Sequence, residues 1–111
     1  MTNCRWVQPT GFTDDNAMEN VNQLALFPLG KIVMTKGVNA SISAEEMLDA
    51  LLLHAQGDWG DVCENDRRFN EEALQRGFRL LSVYHDSDKT KFWIITEADR
   101  SYTTILLPEE Y

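Results

Sequence analysis

Between positions 43 and 57 the apolar residues follow a helical period. Met47, Leu48, Leu51, Leu52 and Ala55 recur at spacings of three and four, so they share one face of a helix. Ser43 and Glu46 stand three apart at its start, the spacing of a capping box, with Ile42 and Met47 placed as a hydrophobic staple across it. Gly57 offers the left-handed residue that ends the helix, and His54 lies in the last turn, where a cation favours the dipole. A second helix is expected from Asp61, with Glu64 completing another capping box, to Gly77. Its apolar positions Val62, Phe69, Ala73 and Leu74 make only a thin face. Gly57-Asp58-Trp59-Gly60 forms the corner between the helices, with Trp59 anchoring the core there.

After Gly77 the period becomes two. Segments 79–85, 92–97 and 102–107 are rich in aromatic and branched residues, with turns at Asp86-Ser87-Asp88-Lys89 and Ala98-Asp99-Arg100-Ser101. Links this short make neighbours antiparallel, which predicts a meander with its middle strand in the interior of the sheet. Upstream, 31–35 reads as a short strand closed by Lys36-Gly37, and Pro28 breaks the apolar run before it. The expected fold is α+β in the order β-α-α-β-β-β, two helices on an antiparallel sheet of three or four strands, over residues 24–111. Residues 1–23 show neither period and are expected to be a flexible N-terminal segment; the alternative is an arm that docks through Trp6 and Phe12.

Charge narrows the functions open to such a domain. Ten Lys and Arg against eighteen Asp and Glu give a formal net charge of −8 in 111 residues. Proteins that bind nucleic acid set cations against phosphates, so no direct nucleic-acid binding is expected. The excess is concentrated: Glu45, Glu46, Asp49, Asp58, Asp61, Glu64 and Asp66 all fall in one stretch that contains no Lys or Arg. Acids near helix starts explain these residues in structural terms. The functional explanation is an acidic surface for a protein partner with a basic one, steered by long-range fields.

Other chemistry finds less footing. The spacing of Asp58, Asp61, Glu64 and Asp66 is not that of a calcium loop, and no Gly-rich phosphate loop or Gly-x-Ser-x-Gly elbow is present, so neither metal nor cofactor is expected. Cys4 and Cys63 are far apart and outside any CxxC pattern, as in reduced intracellular thiols. No apolar run approaches the roughly 20 residues of a membrane span, and the first residues hold no secretory signal, so a cytoplasmic protein without membrane contact is expected. A catalytic alternative places His85, Glu97 and Arg100, with Lys91, on a ribonuclease-like sheet, since a histidine with a carboxylate can do general acid–base work. Turn chemistry accounts for the same residues without catalysis. Tyr84, Phe92, Trp93 and Tyr102 form either an aromatic stripe for a protein interface or ordinary cross-strand packing.

Several longer strings add a resemblance. Leu26-Phe27-Pro28-Leu29-Gly30, Gly57-Asp58-Trp59-Gly60-Asp61, Gly77-Phe78-Arg79-Leu80-Leu81-Ser82, residues 91–101 (KFWIITEADRS) and residues 103–108 (TTILLP) together resemble a family of small bacterial proteins labelled hypothetical or plasmid-related. The resemblance covers roughly residues 26 to 111 and brings no catalytic residues with it; the lead-in before Leu24 is longer than that family's pattern. It implies a mobile genetic element, a plasmid or prophage, where small acidic proteins often oppose host defence. The expected function is therefore a non-enzymatic interaction protein whose carboxylates stand in for phosphates on a nucleic-acid-processing host defence complex, as an anti-CRISPR or anti-restriction inhibitor. The alternatives are a small ribonuclease of toxin type and an accessory protein with no role against defence.

Overall fold

A computed structural model describes residues 25–111, and the expectations for residues 1–23 lie outside them. The elements run β1 (Lys31–Met34), α1 (Lys36–Ser41), α2 (Ala44–Ala55), α3 (Glu64–Arg76), β2 (Leu80–His85), β3 (Lys91–Thr96) and β4 (Tyr102–Leu106), closed by a 3-10 turn at Pro108–Glu110. The α+β class is as expected. The meander also forms as its short turns require, β2 antiparallel to β3 and β3 antiparallel to β4.

The sheet as a whole is mixed rather than antiparallel. Its order is β1-β4-β3-β2, and β1 runs parallel to β4, with Ile32 beside Thr103 and Met34 beside Ile105. Short links dictate direction only inside the meander. Three helices and two strands separate β1 from β4, so that pairing is long-range and its direction is unconstrained by any turn.

Two helix starts also differ from expectation. Thr35 is an N-cap: its Oγ1 accepts from the Val38 N–H at 3.4 Å and opens α1, so Lys36-Gly37 begins a helix rather than closing the strand as its sequence suggests. Glu110 holds that turn from the far end of the chain, accepting from the Gly37 N–H at 2.9 Å and from the Thr35 hydroxyl. The second long helix begins at Glu64, after an N-cap Cys63 without a side-chain bond, so Asp61 caps nothing. Asp61 instead joins β2: its N–H donates to the Val83 carbonyl at 2.8 Å.

At α2, Ser43 Oγ accepts from the Glu46 N–H at 3.2 Å, but the Glu46 carboxylate does not reach back and the capping box is half formed. Gly57, at φ 84°, ends the helix as expected, with its N–H on His54 O at 3.1 Å and the Asp58 N–H on Leu53 O at 2.9 Å.

Alternation divides the sheet into two faces. Leu80, Ser82 and Tyr84 of β2, Phe92, Ile94 and Thr96 of β3, and Thr103 and Ile105 of β4 lie in register on an inner face and are buried. Val38, Met47, Leu51, Leu52, Ala55 and Ala73 close the core over that face. The aromatic stripe is therefore split, with Tyr84 and Phe92 inward and Trp93 and Tyr102 on the opposite side. The open edge of β2 is capped by α3. Asn70 is 2% exposed; its Nδ2 donates to the Leu81 carbonyl at 2.7 Å and its Oδ1 accepts from the Leu81 N–H at 3.2 Å. Farther along that edge the Val83 N–H donates to the Trp59 carbonyl at 3.1 Å.

Candidate functional site

The carboxylates between Glu45 and Asp66 do not form one continuous surface. Glu64 is ion-paired within its own helix, to Arg67 at 2.6 Å and Arg68 at 3.3 Å, and the Arg67 hydrogen bond holds its carboxyl below the usual range. Asp66 faces a groove on the far side of the sheet, beside Phe69, Arg79 and Trp93. Asp58 turns back on its own corner, its Oδ1 accepting from the Gly60 N–H at 3.3 Å.

The remaining acids gather between the start of α2 and the β2–β3 turn. Glu46 Oε1 accepts from the Ser87 N–H at 2.9 Å, which ties helix to turn. Below that bond lies a groove of about 280 Å³, walled by Glu46, Asp49, His85 and Asp86 and floored by Ala50, Leu53 and Phe92. Asp61 reaches the adjacent rim through an Oδ2–Nδ1 contact of 2.7 Å with His85. Asp49 is half-buried, and burial raises its carboxyl above the usual range, helped by repulsion from Glu45 and Glu46. No Lys, Arg or His among the described residues forms an ion pair with Glu45, Glu46 or Asp49. Among the described residues, Glu46 and Asp49 thus place carboxylates without an ion-pair partner at this groove, Asp49 at a half-buried position. Among the described residues no group of three or more His, Cys, Asp or Glu side chains is arranged to hold a metal ion.

The catalytic alternative is not assembled. His85 stands opposite Lys91 at one end of the hairpin, whereas Glu97 follows Thr96, which stands opposite Leu80 at the other. Five strand steps separate those ends, about 17 Å. Arg100 is committed to backbone: its guanidinium donates to Phe78 O at 2.6 Å and to Glu97 O and Ala73 O at 3.1 Å, and it lies 5.6 Å from the Phe27 ring. It works as a C-terminal cap on α3.

The polar cluster that sequence reasoning missed surrounds His54. The imidazole is fully buried rather than a cation at a helix end. Its Nδ1 is 2.6 Å from Ser82 Oγ and its Nε2 is 2.9 Å from Thr96 Oγ1, which is 2.8 Å from Thr103 Oγ1. Thr103 donates to the Leu29 carbonyl at 2.7 Å. That last bond orients the rest. With its proton on Leu29, Thr103 must accept from Thr96, Thr96 must accept from Nε2–H, and Nδ1 must accept from Ser82. The histidine is therefore the neutral Nε2–H tautomer. Burial lowers its pKa to about 3, and Arg100 adds to the effect.

A serine hydroxyl on an imidazole nitrogen is the beginning of a nucleophilic site. Here Ser82 and His54 are both 0% exposed, and Phe27 and Trp59 stand edge-on to the imidazole at 5.4 and 5.7 Å. The cluster positions α2, the sheet and the Leu29 loop; no substrate can reach it. A signal for it exists in the chain: Ser82, Thr96 and Thr103 are the polar exceptions on an otherwise apolar strand face.

No protein-family model, no curated protein and no solved structure matches the chain. Among the described residues no helix is long and apolar enough to cross a membrane.

Proposed function

We propose that this chain is a non-enzymatic interaction protein that offers the acidic groove between α2 and the β2–β3 turn to a basic surface on a protein partner. The observation that carries the reading is Asp49, half-buried and crowded by Glu45 and Glu46 with no cation paired to it among the described residues. An arginine or lysine from a partner would relieve that repulsion, and a hydrogen-bonded charge pair formed there is partly desolvated, hence stronger than one on an open surface. The working acids are Glu45, Glu46, Asp49 and Asp61, with Asp86 from the turn; Glu64 and Asp66 fall outside. The resemblance to mobile-element proteins supports a partner whose basic surface serves nucleic acid, a host defence complex among them.

The test compares two variants of equal net charge. Glu45→Gln/Asp49→Asn and Glu64→Gln/Asp66→Asn are each titrated with an arginine-rich peptide at low and at raised salt. The first should lose most of the affinity of the parent chain and most of its salt dependence, while the second keeps both. Equal weakening of the two would show that only net charge matters and would overturn the assignment.

A further inference from the structure

The two edges of the sheet are treated differently. The edge of β2 is occupied by Asn70 of α3 and by the Trp59–Asp61 backbone. The edge of β1 is open among the described residues. β1 bonds to β4 through alternate residues, the Lys31 N–H donating to Ser101 O and the Thr35 N–H to Ile105 O, both at 3.1 Å. The intervening Ile32 and Met34 therefore turn their N–H and C=O groups outward. Both ends of this edge are fixed. Gly30, at φ 68°, has no room for a Cβ against the Ser101 carbonyl, and Glu110 accepts from the Thr35 hydroxyl and the Gly37 N–H.

We propose that the β1 edge binds an extended peptide as a fifth strand, one that alternates apolar residues with carboxylates. Side-chain direction sets the alternation. Ile32 and Met34 stand beside Thr103 and Ile105 on the inner face, and Met34 is 49% exposed, so apolar side chains of the added strand cover them. Lys31 stands beside Tyr102 on the outer face and is exposed, as is Lys36 at the other end of the edge. Neither lysine has an ion-pair partner among the described residues, on a chain whose net charge is −8. Carboxylates on the outer side of the added strand supply those partners, while its backbone pairs with Ile32 and Met34.

Charge separates such a peptide from a second copy of this chain. Antiparallel pairing of Ile32 with Met34 of another copy would set Lys31 of each beside Lys36 of the other, and like charges so placed repel. Each copy also carries the net charge of −8. Lysine on an open edge works against self-pairing, and the same lysine favours an acidic strand. This edge is separate from the acidic groove of α2 and opposite to it in sign, so either assignment can fail without the other.

The experiment titrates the full isotope-labelled chain with a short peptide of alternating Val and Glu and follows the amides by NMR. Binding should shift Ile32 and Met34 and slow their hydrogen exchange, while Leu81 and Val83 at the other edge stay unchanged. A peptide with Lys in place of Glu should need about tenfold more for the same shifts at low salt. The Glu peptide with its Val amides N-methylated, which removes the donors facing β1, should not produce them. Lys31→Glu, with unchanged circular dichroism, should weaken binding of the Glu peptide about tenfold. Shifts spread evenly over the surface, equal binding of the N-methylated peptide, or no effect of Lys31→Glu would overturn the proposal. So would protection of Ile32 and Met34 that grows with protein concentration in the absence of peptide, which would assign the edge to self-pairing.

Discussion

Helix α2 turns Met47, Ala50, Leu51, Leu52, His54 and Ala55 into the core, whereas α3 buries only Asn70 and Ala73. The acids of the two helices are treated in opposite ways. On α3, Glu64 is paired with Arg67 and Arg68, and Glu72 with Arg76 at 2.7 Å. On α2, Glu45, Glu46 and Asp49 have no cation among the described residues. A helix held by its buried side can carry charges that repel one another, because packing outweighs the strain. A helix with little burial relies on its own ion pairs, on one amide at the sheet edge and on the Arg100 cap. The uncompensated acids, and with them the capacity to attract a partner, belong to the helix that is best anchored.

The largest expected effect attacks that anchor. His54 binds a proton at about 3 in the fold against 6.5 when unfolded. The unfolded chain therefore takes up the proton first, so stability contributed by the neutral imidazole is complete above pH 6.5 and is lost as pH falls toward 3. At about 1.36 kcal/mol per pH unit, the whole loss is about 5 kcal/mol. Urea midpoints at pH 7, 5.5 and 4.5 should fall steeply in the parent chain. In His54→Gln, already less stable, the slope over that window should be much shallower. A slope unchanged in the variant would move the titrating group elsewhere.

A smaller effect is expected on α3. Asn70→Ala strands the N–H and carbonyl of Leu81 at the sheet edge, at a cost of about 2 kcal/mol. Amide exchange should rise in α3 and at Leu81 while α2 stays protected, which separates a local edge defect from global loss.

The smallest effects carry the sharpest contrast. Asp49→Asn removes a carboxylate whose ionisation burial opposes, and should leave the melting temperature equal or slightly higher. Glu64→Gln removes exposed ion pairs and should lower it slightly or not at all. Thermal melts of the two side by side check the pair of signs; a clear loss of stability in Asp49→Asn would mean that the carboxylate has a structural partner.

Local pattern carried the elements well. The period of two located the meander strands within a residue at either end, and Ser43 and Gly57 marked α2 at both ends, because each of these signals acts over a few residues. The parallel pairing of β1 with β4 joins segments that no short-range rule connects. His54 misled for a physical reason: a histidine in a last turn satisfies the dipole rule, yet it also continues the apolar stripe of α2, and burial against Ser82 and Thr96 prevailed. For the acids, chain proximity suggested a single surface, but the corner at Asp58–Asp61 and the arginines of α3 divide them. Side-chain direction there depends on tertiary placement that spacing does not encode.

The way Asn70 and the Trp59–Asp61 stretch occupy the border of β2 leaves, among the described residues, β1 as the sheet's sole unpaired margin. Strand addition between copies can then start only at Ile32 and Met34. Two molecules joined there would present no further margin to a third. The architecture thus limits runaway ribbon growth to a closed pair, a safeguard against fibrils supplied by one asparagine on a neighbouring helix together with the Trp59–Asp61 backbone.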